Sequence, residues 1–292
     1  MLKISVVTVC YNMVQYIEQT IVSVLSQDYP NLEYIVIDGG STDGTQLIIN
    51  KYIDRIAYYV SEPDKGMYDA INKGFAHATG DIITWINADD IHMPWTYRVV
   101  NQTFSQYADI NWICGKYAFL TEGGVLAHVF AKCAIKNQKD IRNGWCREGV
   151  LGPIMQENMF WRRSLLDEAG MLDISYHLAG DFELWTRFAR YSHLTYVDVP
   201  LAAFRRRKGG LSLSQKEKYA EEVERVCSTK PKYPNILWIF ISGNRILVNI
   251  LRLIRFRKAD ILYYNYTDEE LQRKSFWGSA SSQCIETLRM FK

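Results

Sequence analysis

The chain has 292 residues, 48% of them hydrophobic and 23% charged, with a formal net charge of +2. This balance allows one large or two small domains around a sizeable core, and it argues against a nucleic-acid-binding protein. The six cysteines form no CxxC pair, which disfavours a zinc site and a disulfide framework. The apolar run that opens the chain is too short for a signal peptide, so the cytoplasm is the expected compartment.

The first hundred residues alternate between predicted strands and predicted helices. Continuous apolar runs rich in β-branched residues predict buried strands at 4–9, 32–37, 56–60 and 82–86. Helical spacing of apolar residues predicts helices between them, at 17–26, 43–52 and 67–78. This alternation predicts an α/β fold with a parallel sheet and right-handed crossovers.

Polar residues follow each of the four predicted strands. In chain order they are Thr8, Tyr11 and Asn12, then Asp38, then Glu62, Asp64 and Lys65, and finally Asn87, Asp89 and Asp90. Because ligands bind at the carboxyl ends of strands in such sheets, these side chains are expected to share one site. A helix N-cap would explain the last pair of aspartates, but it would not explain all four strand ends.

The second half of the chain is less regular. The segments 110–120 and 125–130 flank the sequence TEGG and predict a hairpin. Residues 131–152 form a loop with no assigned element. Further helices are predicted at 162–168, 180–190 and 217–227, and a strand at 194–199. A basic, glycine-rich loop, FRRRKGGLSLS, follows at 204–214.

Residues 235–258 are apolar and carry four arginines and a lysine near their end. This pattern favours an amphipathic helix lying on an anionic membrane surface. A helix packed on the rest of the protein or at a dimer interface stays open as the alternative. A membrane span is disfavoured because Gly243, Asn244 and Arg245 interrupt the apolar run. We therefore expect a catalytic domain at 1–215 and a helical appendage at 216–292.

Two common phosphate-binding motifs, GxGxxG and GxxxxGK[ST], are absent. The chain instead contains VVTVCYN, IVIDGGSTDGT, SEPDKGMYDAINKG and INADD, in this order. The ordered set resembles family 2 glycosyltransferases of the GT-A fold, of the type that acts in bacterial surface-polysaccharide synthesis. The resemblance covers about residues 1–215 and implies a Rossmann-like, mostly parallel sheet, with a nucleotide-binding half at 1–100 and an acceptor half at 101–215.

The resemblance implies a role for individual residues of these motifs. Asp38 is similar to the family's carboxylate that accepts a hydrogen bond from the uracil ring. Asn87 replaces the first Asp of the family's DxD pattern, and Asp89 holds the second position and is the implied ligand of Mn²⁺ or Mg²⁺. The implied nucleotide-sugar site comprises Thr8, Tyr11, Asn12, Asp38, Lys65, Asn72, Asn87, Ala88, Asp89 and Arg206.

The segment LAGDFELWTRFA resembles the family's EDxxLWxR helix. Asp181 matches the general base of that helix, and Gly180 stands where Glu is often found. A plain N-cap is the alternative role for Asp181. In PIMQENMFWRR, Gln156 and Glu157 correspond to the acceptor side.

The resemblance implies a metal-dependent, inverting enzyme that moves one sugar from a UDP-sugar to a hydroxyl group. The expected acceptor is a lipid-linked saccharide at the inner face of the cytoplasmic membrane. Two other classes stay open. One is a nucleotidyltransferase with a similar sheet, although CYNMVQYIE is not the glycine-rich loop that such enzymes usually carry. The other is a sugar-nucleotide-binding protein without catalysis.

Overall fold

A computed structural model describes residues 1–131, 135–148, 150–210, 214–228, 257–265 and 270–278. The first half forms the predicted alternation of strands and helices. Its elements are β1 (Ile4–Cys10), α1 (Ile17–Leu25), β2 (Leu32–Asp38), α2 (Thr45–Asn50), β3 (Tyr58–Ser61), α3 (Met67–His77) and β4 (Ile82–Asn87).

The second half adds short strands and helices around this unit. They are β5 (Ile91–His92), α4 (Thr96–Gln106), β6 (Trp112–Lys116), β7 (Ala118–Leu120), β8 (Leu126–Val129), α5 (Gln138–Arg142), β9 (Met159–Arg162), α6 (Arg163–Ala169), α7 (Gly180–Tyr191), β10 (Thr195–Pro200), β11 (Ala202–Arg205), α8 (Lys216–Cys227), β12 (Arg257–Asn265) and β13 (Glu270–Gly278). The predicted hairpin is confirmed, because β7 and β8 pair in antiparallel fashion across the turn. The helix α4 was not predicted.

A nine-stranded, mostly parallel sheet forms the centre of the protein, in the order β13-β12-β10-β6-β9-β4-β1-β2-β3. Only β9 and β13 run antiparallel to their neighbours in this sheet, among the strands that the structure describes. A smaller sheet has the order β5-β11-β7-β8. The predicted α/β fold class with a mostly parallel sheet is confirmed.

The carboxyl ends of the first four strands lie along one edge of the large sheet. Cys10 is in register with Asp38, and Asp38 is in register with Ser61 on the next strand. On the other side of β1, Val9 is in register with Asn87. The shared strand-end site that the sequence predicts therefore has a common location.

Four tryptophans pack on the side of the sheet that carries α3 and α7. Trp85, Trp112, Trp161 and Trp185 are all at most 2% exposed. The rings of Trp85 on β4 and Trp185 on α7 stack, with centroids 5.6 Å apart and planes at 14°. Large aromatic rings bury more apolar area than any other side chain. This stack therefore fixes α7, and with it Asp181 one turn earlier, against the strand that leads to Asp89.

The C-terminal part differs from the expected helical appendage. The helix α8 is present, but residues 257–265 and 270–278 form two paired strands. The strand β12 extends the central sheet beside β10, and its Ile261 and Leu262 are buried, which explains why this segment is extended rather than helical. The apolar segment 235–258 lies outside the described residues except for its last two, which open β12. In the described part of the chain, no helix is long and apolar enough to cross a membrane.

The close contact of α3 with β1 gives a prediction about stability. A Cβ atom at Gly74 would lie 2.3 Å from Val7 Cγ1. The Gly74→Ala variant should lose about 1–3 kcal/mol of unfolding free energy through overpacking, although alanine favours helix by about 1 kcal/mol. Urea denaturation measures this change. The control is Gly123→Ala in the β7–β8 turn, where a Cβ would meet nothing within 4 Å. Equal stability of the two variants would show that the helix can shift to accept the methyl group.

Candidate functional site

The carboxylate of Asp38 joins the ends of β1, β2 and β3. Its oxygens accept hydrogen bonds from the Ser41 backbone N–H at 2.9 Å, from the Ser41 hydroxyl, from Ser61 Oγ at 2.5 Å and from Cys10 Sγ at 3.3 Å. The side chain is 0% exposed. Burial and the Asp38 carboxylate raise the pKa of Cys10 well above its usual value, so the thiol stays protonated and donates. The structure thus buries Asp38 beneath the surface of the site, and both of its carboxylate oxygens accept hydrogen bonds from protein groups.

The loop after β1 is tied to the loop after β2. The backbone N–H of Asn12 donates to Ser41 Oγ at 2.7 Å, and Asn12 Oδ1 accepts from the Thr42 N–H at 2.9 Å. Asn12 has a φ of 52°, a left-handed conformation that asparagine tolerates better than most residues. The predicted site residue Asn12 therefore holds the shape of the loop.

Two predicted residues of β1 and its following loop differ in their access to solvent. Thr8 is 0% exposed, and its Oγ1 accepts a hydrogen bond from the buried Tyr34 hydroxyl at 3.0 Å. Tyr11 is 61% exposed at the same edge of the sheet. Only Tyr11 is therefore positioned to present its side chain to a ligand, and its ring offers an apolar face.

The turn after β4 carries the predicted metal-binding residues. The Thr20 hydroxyl of α1 lies 2.8 Å from the Ala88 carbonyl oxygen and 2.7 Å from that of Asp90, which holds the turn in place. Ala88 is itself buried. Asp90 is 0% exposed, and its Oδ1 accepts from the Arg205 backbone N–H at 2.8 Å. Asp89 is more accessible, because 18% of its side chain is exposed.

The three arginines of the basic loop have different partners. Arg205 is buried and donates through Nε to the Asp89 carbonyl oxygen at 2.6 Å. Arg206 lies on the ring of Phe119, with its Cζ 3.9 Å from the centroid. Arg207 donates through Nε to Asp89 Oδ2 at 2.6 Å. The structure therefore brings Arg207, and not the predicted Arg206, to the predicted metal ligand.

The start of α7 presents Asp181 beside Tyr68. The Tyr68 hydroxyl donates to Asp181 Oδ1 at 3.3 Å. A Cβ at Gly180 would lie 2.7 Å from the Tyr68 ring, which explains why glycine stands at that position. Burial raises the pKa of Asp181 to about 6, although hydrogen bonds oppose the shift.

Glu222 of α8 fixes the loop that leads into α7. Its carboxylate accepts hydrogen bonds from the backbone N–H groups of His177 at 2.9 Å, Leu178 at 2.8 Å and Ala179 at 2.9 Å. An anion at the amino end of a helix also interacts favourably with the helix dipole. The negative charge of Glu222 contributes to the raised pKa of Asp181. Glu222, from the C-terminal part of the chain, thus helps to position Asp181, the predicted base.

Four carboxylates from distant parts of the chain influence one another. Burial raises the pKa of Glu157 to about 7, and the charges of Asp181 and Asp89 add to this effect. Burial and the charges of Asp89 and Glu157 raise the pKa of Asp90 well above its usual value. Ionisation of all four carboxylates is therefore unfavourable in this site, and a bound cation would stabilise their charged forms.

The residues present fit a divalent cation that takes most of its ligands from substrate and water. Two buried side-chain oxygens, Asn87 Oδ1 at the end of β4 and Asp90 Oδ2 in the turn after it, have no hydrogen-bond partner among the residues that the structure describes. No three His, Cys, Asp or Glu side chains of the described residues are close enough to ligate one ion. Asp89 would then be the principal protein ligand, as is common for Mg²⁺ and Mn²⁺ at phosphate sites.

The remaining predicted residues have structural partners or lie at the surface. Asn72 exchanges two hydrogen bonds with the Leu172 backbone, at 2.8 and 3.0 Å, so its side-chain amide is bonded to the protein. Gln156 donates to the Trp85 carbonyl at 2.7 Å and is 8% exposed. Glu157 is 2% exposed. Lys65 is exposed on the loop after β3. Two partners of the site, Tyr68 and Glu222, were not predicted from the sequence, although Tyr68 lies within a quoted motif; Arg207 belongs to the basic loop at 204–214.

Comparison with known proteins places the chain among sugar transferases. The family model described as "Glycosyl transferase family 2" matches residues 5–164. An uncharacterized glycosyltransferase of Haemophilus influenzae is 28% identical over 211 residues, which cover 69% of this chain and 65% of that protein. An uncharacterized glycosyltransferase of Mycobacterium tuberculosis is 41% identical over 88 residues, covering 30% of this chain and 34% of that protein. The chain thus spans about a third of the length of the Mycobacterium tuberculosis relative.

Solved structures share the fold. Staphylococcus aureus TarS residues 1–349, in complex with UDP-GlcNAc, superposes with a TM-score of 0.60 at 18% identity, covering 80% of this chain and 68% of that chain. The mannosyltransferase PcManGT of Pyrobaculum calidifontis, in complex with GDP-Man and Mn²⁺, has a TM-score of 0.55 at 19% identity, covering 87% of this chain and 70% of that chain. The expected GT-A fold is confirmed by this likeness.

The buried carboxylate of Glu157 gives a prediction about pH. The raised pKa, about 7 against an ordinary 4.5, means that the folded state holds a proton which the unfolded state loses first. Wild-type stability should therefore fall as pH rises from 4.5 to 7, and Glu157→Gln should remove this loss. The stability difference between variant and wild type should grow over that range by up to about 3 kcal/mol.

Urea denaturation in a chelating buffer at several pH values measures this difference, because a bound cation would mask it. Glu168→Gln on the exposed face of α6 is the matched control and should track the wild type at every pH. If the stability of Glu157→Gln and of wild type changes with pH in parallel, the pKa of Glu157 is not raised in the folded protein.

Proposed function

The chain belongs to glycosyl transferase family 2, and on this premise we propose that it transfers one sugar from a UDP-sugar to a hydroxyl group with inversion. The observation that carries the proposal is the packing that brings two carboxylates to one part of the molecule. Asp89 follows β4 and Asp181 opens α7, and the stacked rings of Trp85 and Trp185, with centroids 5.6 Å apart, hold α7 against β4. A base and a group that holds the departing diphosphate must face one sugar from opposite sides, and this pair supplies both.

Asp181 acts in this proposal as the general base. Its pKa of about 6 leaves it ionised at neutral pH, yet basic enough to accept a proton during attack. The Tyr68 hydroxyl orients one of its oxygens, so that the other oxygen can accept a proton from the acceptor hydroxyl. The acceptor oxygen then attacks the anomeric carbon from the face opposite UDP, so an α-linked donor gives a β-linked product.

Asp89 and the basic loop act on the leaving group. Mn²⁺ or Mg²⁺ bound at Asp89 would neutralise the charge that develops on the diphosphate. Arg207 already lies at Asp89, and its guanidinium would exchange that carboxylate for phosphate oxygens. The exposed Lys65 adds a second cation at the same edge of the sheet. Both side chains therefore favour binding of a nucleoside diphosphate.

The acceptor and the location are proposed from the sequence pattern. The apolar, arginine-rich segment 235–258 would bind an anionic membrane surface and bring the site to a lipid-linked saccharide. Transfer at the inner face of the cytoplasmic membrane would serve surface-polysaccharide synthesis. A sugar-nucleotide-binding protein without catalysis remains the alternative, and it would bind the donor without forming a glycoside.

Replacement of Asp181 by Asn tests the base. The amide cannot accept the proton, so transfer should fall by about 10²- to 10⁴-fold while UDP binding persists. Wild-type kcat/KM should rise with pH through about 6, because the base must be deprotonated. Asp167→Asn on the exposed face of α6 is the control, with unchanged rate and pH profile expected. Full activity in Asp181→Asn would refute this role.

Thermal unfolding with nucleotides tests the donor site. UDP should raise the melting temperature, and Mn²⁺ should enlarge the rise, because a ligand that binds only the folded state stabilises it by mass action. Asp89→Asn should lose the part of the rise that depends on Mn²⁺, and Asp167→Asn should retain it. A rise with GDP alone would move the donor to a guanosine nucleotide. No rise with any nucleoside diphosphate would contradict the proposal.

A further inference from the structure

We propose that Asp64, and not Asp38, is the carboxylate that recognises the base of the donor nucleotide, and that its single free oxygen selects uracil. The inference rests on the proposed UDP-sugar donor and names the residue that determines it. Two features of the sheet edge formed by the carboxyl ends of β1 to β4 support it. The oxygens of Asp38 already accept hydrogen bonds from the protein, and Asp64 lies against Gly39.

Asp38 is not available to a ligand in this structure. Its side chain is fully buried, and its two oxygens accept hydrogen bonds from Ser41, Ser61 and Cys10. A base that bonded to Asp38 would have to displace one of these donors. The lost bonds are those that hold the ends of β1, β2 and β3 together, so their loss would disturb the site that the base enters.

Asp64 occupies the space that Gly39 leaves open at the end of β2. A Cβ atom at Gly39 would lie 2.6 Å from Asp64 Oδ2 and 3.4 Å from Cδ2 of Tyr11. The carboxylate and the tyrosine ring are therefore neighbours above the same backbone position. Tyr11 is 61% exposed, so a planar base that packs on its ring would bring its edge to Asp64.

One oxygen of Asp64 is held by the protein and the other is free. Asp64 Oδ1 accepts a hydrogen bond from the Gly66 backbone N–H at 2.8 Å. No donor of the described residues bonds to Asp64 Oδ2, the oxygen that lies above Gly39. The first bond fixes the orientation of the carboxylate, and the second oxygen is left to accept from a ligand.

This arrangement matches the edge of uracil better than those of the other bases. Uracil presents one N–H between two carbonyl groups, and one carboxylate oxygen accepts from it. Cytosine has a lone pair at the same ring position, which an anionic oxygen repels. Guanine presents two adjacent donor groups that suit a carboxylate with both oxygens free, whereas Asp64 Oδ1 is already bonded to Gly66. A hydrogen bond to a charged acceptor is strong enough to govern this choice.

Isothermal titration with UDP, CDP and GDP in the presence of Mn²⁺ tests the inference. Wild type should bind UDP more tightly than CDP. Asp64→Asn should weaken UDP binding by about 10- to 100-fold, because the charged acceptor is lost. CDP binding should be unchanged or tighter, because the asparagine amide can donate to the cytosine ring nitrogen. The dissociation constant of CDP divided by that of UDP should therefore fall toward one or below it.

Gly39→Ala gives a second test that removes no charge. The new methyl group would lie 2.6 Å from Asp64 Oδ2, too close for the oxygen to keep its position. Because φ at Gly39 is not in the left-handed region, the backbone accepts alanine. Displacement of the Asp64 carboxylate should reduce the preference for UDP over CDP, as Asp64→Asn is expected to do. Asp54→Asn, at an exposed aspartate remote from the strand ends, is the matched control and should keep wild-type constants. Thermal unfolding confirms that each variant is folded.

The outcomes separate this inference from the proposed function. Wild type that binds no uridine nucleotide contradicts the UDP-sugar donor, and the inference falls with it. If wild type prefers UDP and the ratio of the CDP to the UDP dissociation constant is unchanged in folded Asp64→Asn and Gly39→Ala, the role of Asp64 alone is overturned. A reduced ratio in both variants and an unchanged ratio in Asp54→Asn supports it.

Discussion

The buried carboxylate of Asp38 is the contact on which the rest of the site depends. Its oxygens accept hydrogen bonds from Cys10, Ser41 and Ser61, which lie at the ends of three neighbouring strands. Ser41 in turn accepts from the backbone of Asn12 and so fixes the loop that carries Tyr11. An ionised group without these partners would be very costly to bury. These hydrogen bonds therefore set the shape of this edge of the sheet before any ligand binds.

A second constraint is the cluster of carboxyl groups between β4 and α7. Asp89, Asp90, Glu157 and Asp181 meet because the stacked rings of Trp85 and Trp185 hold α7 against β4. Arg207 neutralises part of the negative charge of these carboxylates through its ion pair with Asp89. Carboxylates with raised pKa values beside a cationic side chain suit the proposed transfer, because charge would move across the site during that reaction. The energetic cost of the cluster is thus linked to its chemistry.

The sequence predicted most of the strands and helices up to residue 227, and it failed at α4 and at the two C-terminal strands. The strands at Ile4–Cys10 and Leu32–Asp38 are long apolar runs, and local periodicity identifies such elements. The helix Thr96–Gln106 was missed, because it begins without a side-chain cap and its polar residues outweigh its apolar stripe. The strands at 257–265 and 270–278 were expected to be helical. Their extended form depends on pairing with each other and with β10, which no local pattern encodes.

For the site, the sequence by itself determined which polar residues end the parallel strands and in which order, since motif spacing and hydrophobic runs are local properties. Only the tertiary structure decided which of these side chains a ligand can reach. Asp38 and Thr8 are buried, Asn72 is bonded to the Leu172 backbone, and Arg207, rather than Arg206, pairs with Asp89. The physical reason is that access and charge depend on hydrogen bonds and packing between residues far apart in the chain, and these exist only once the sheet is assembled.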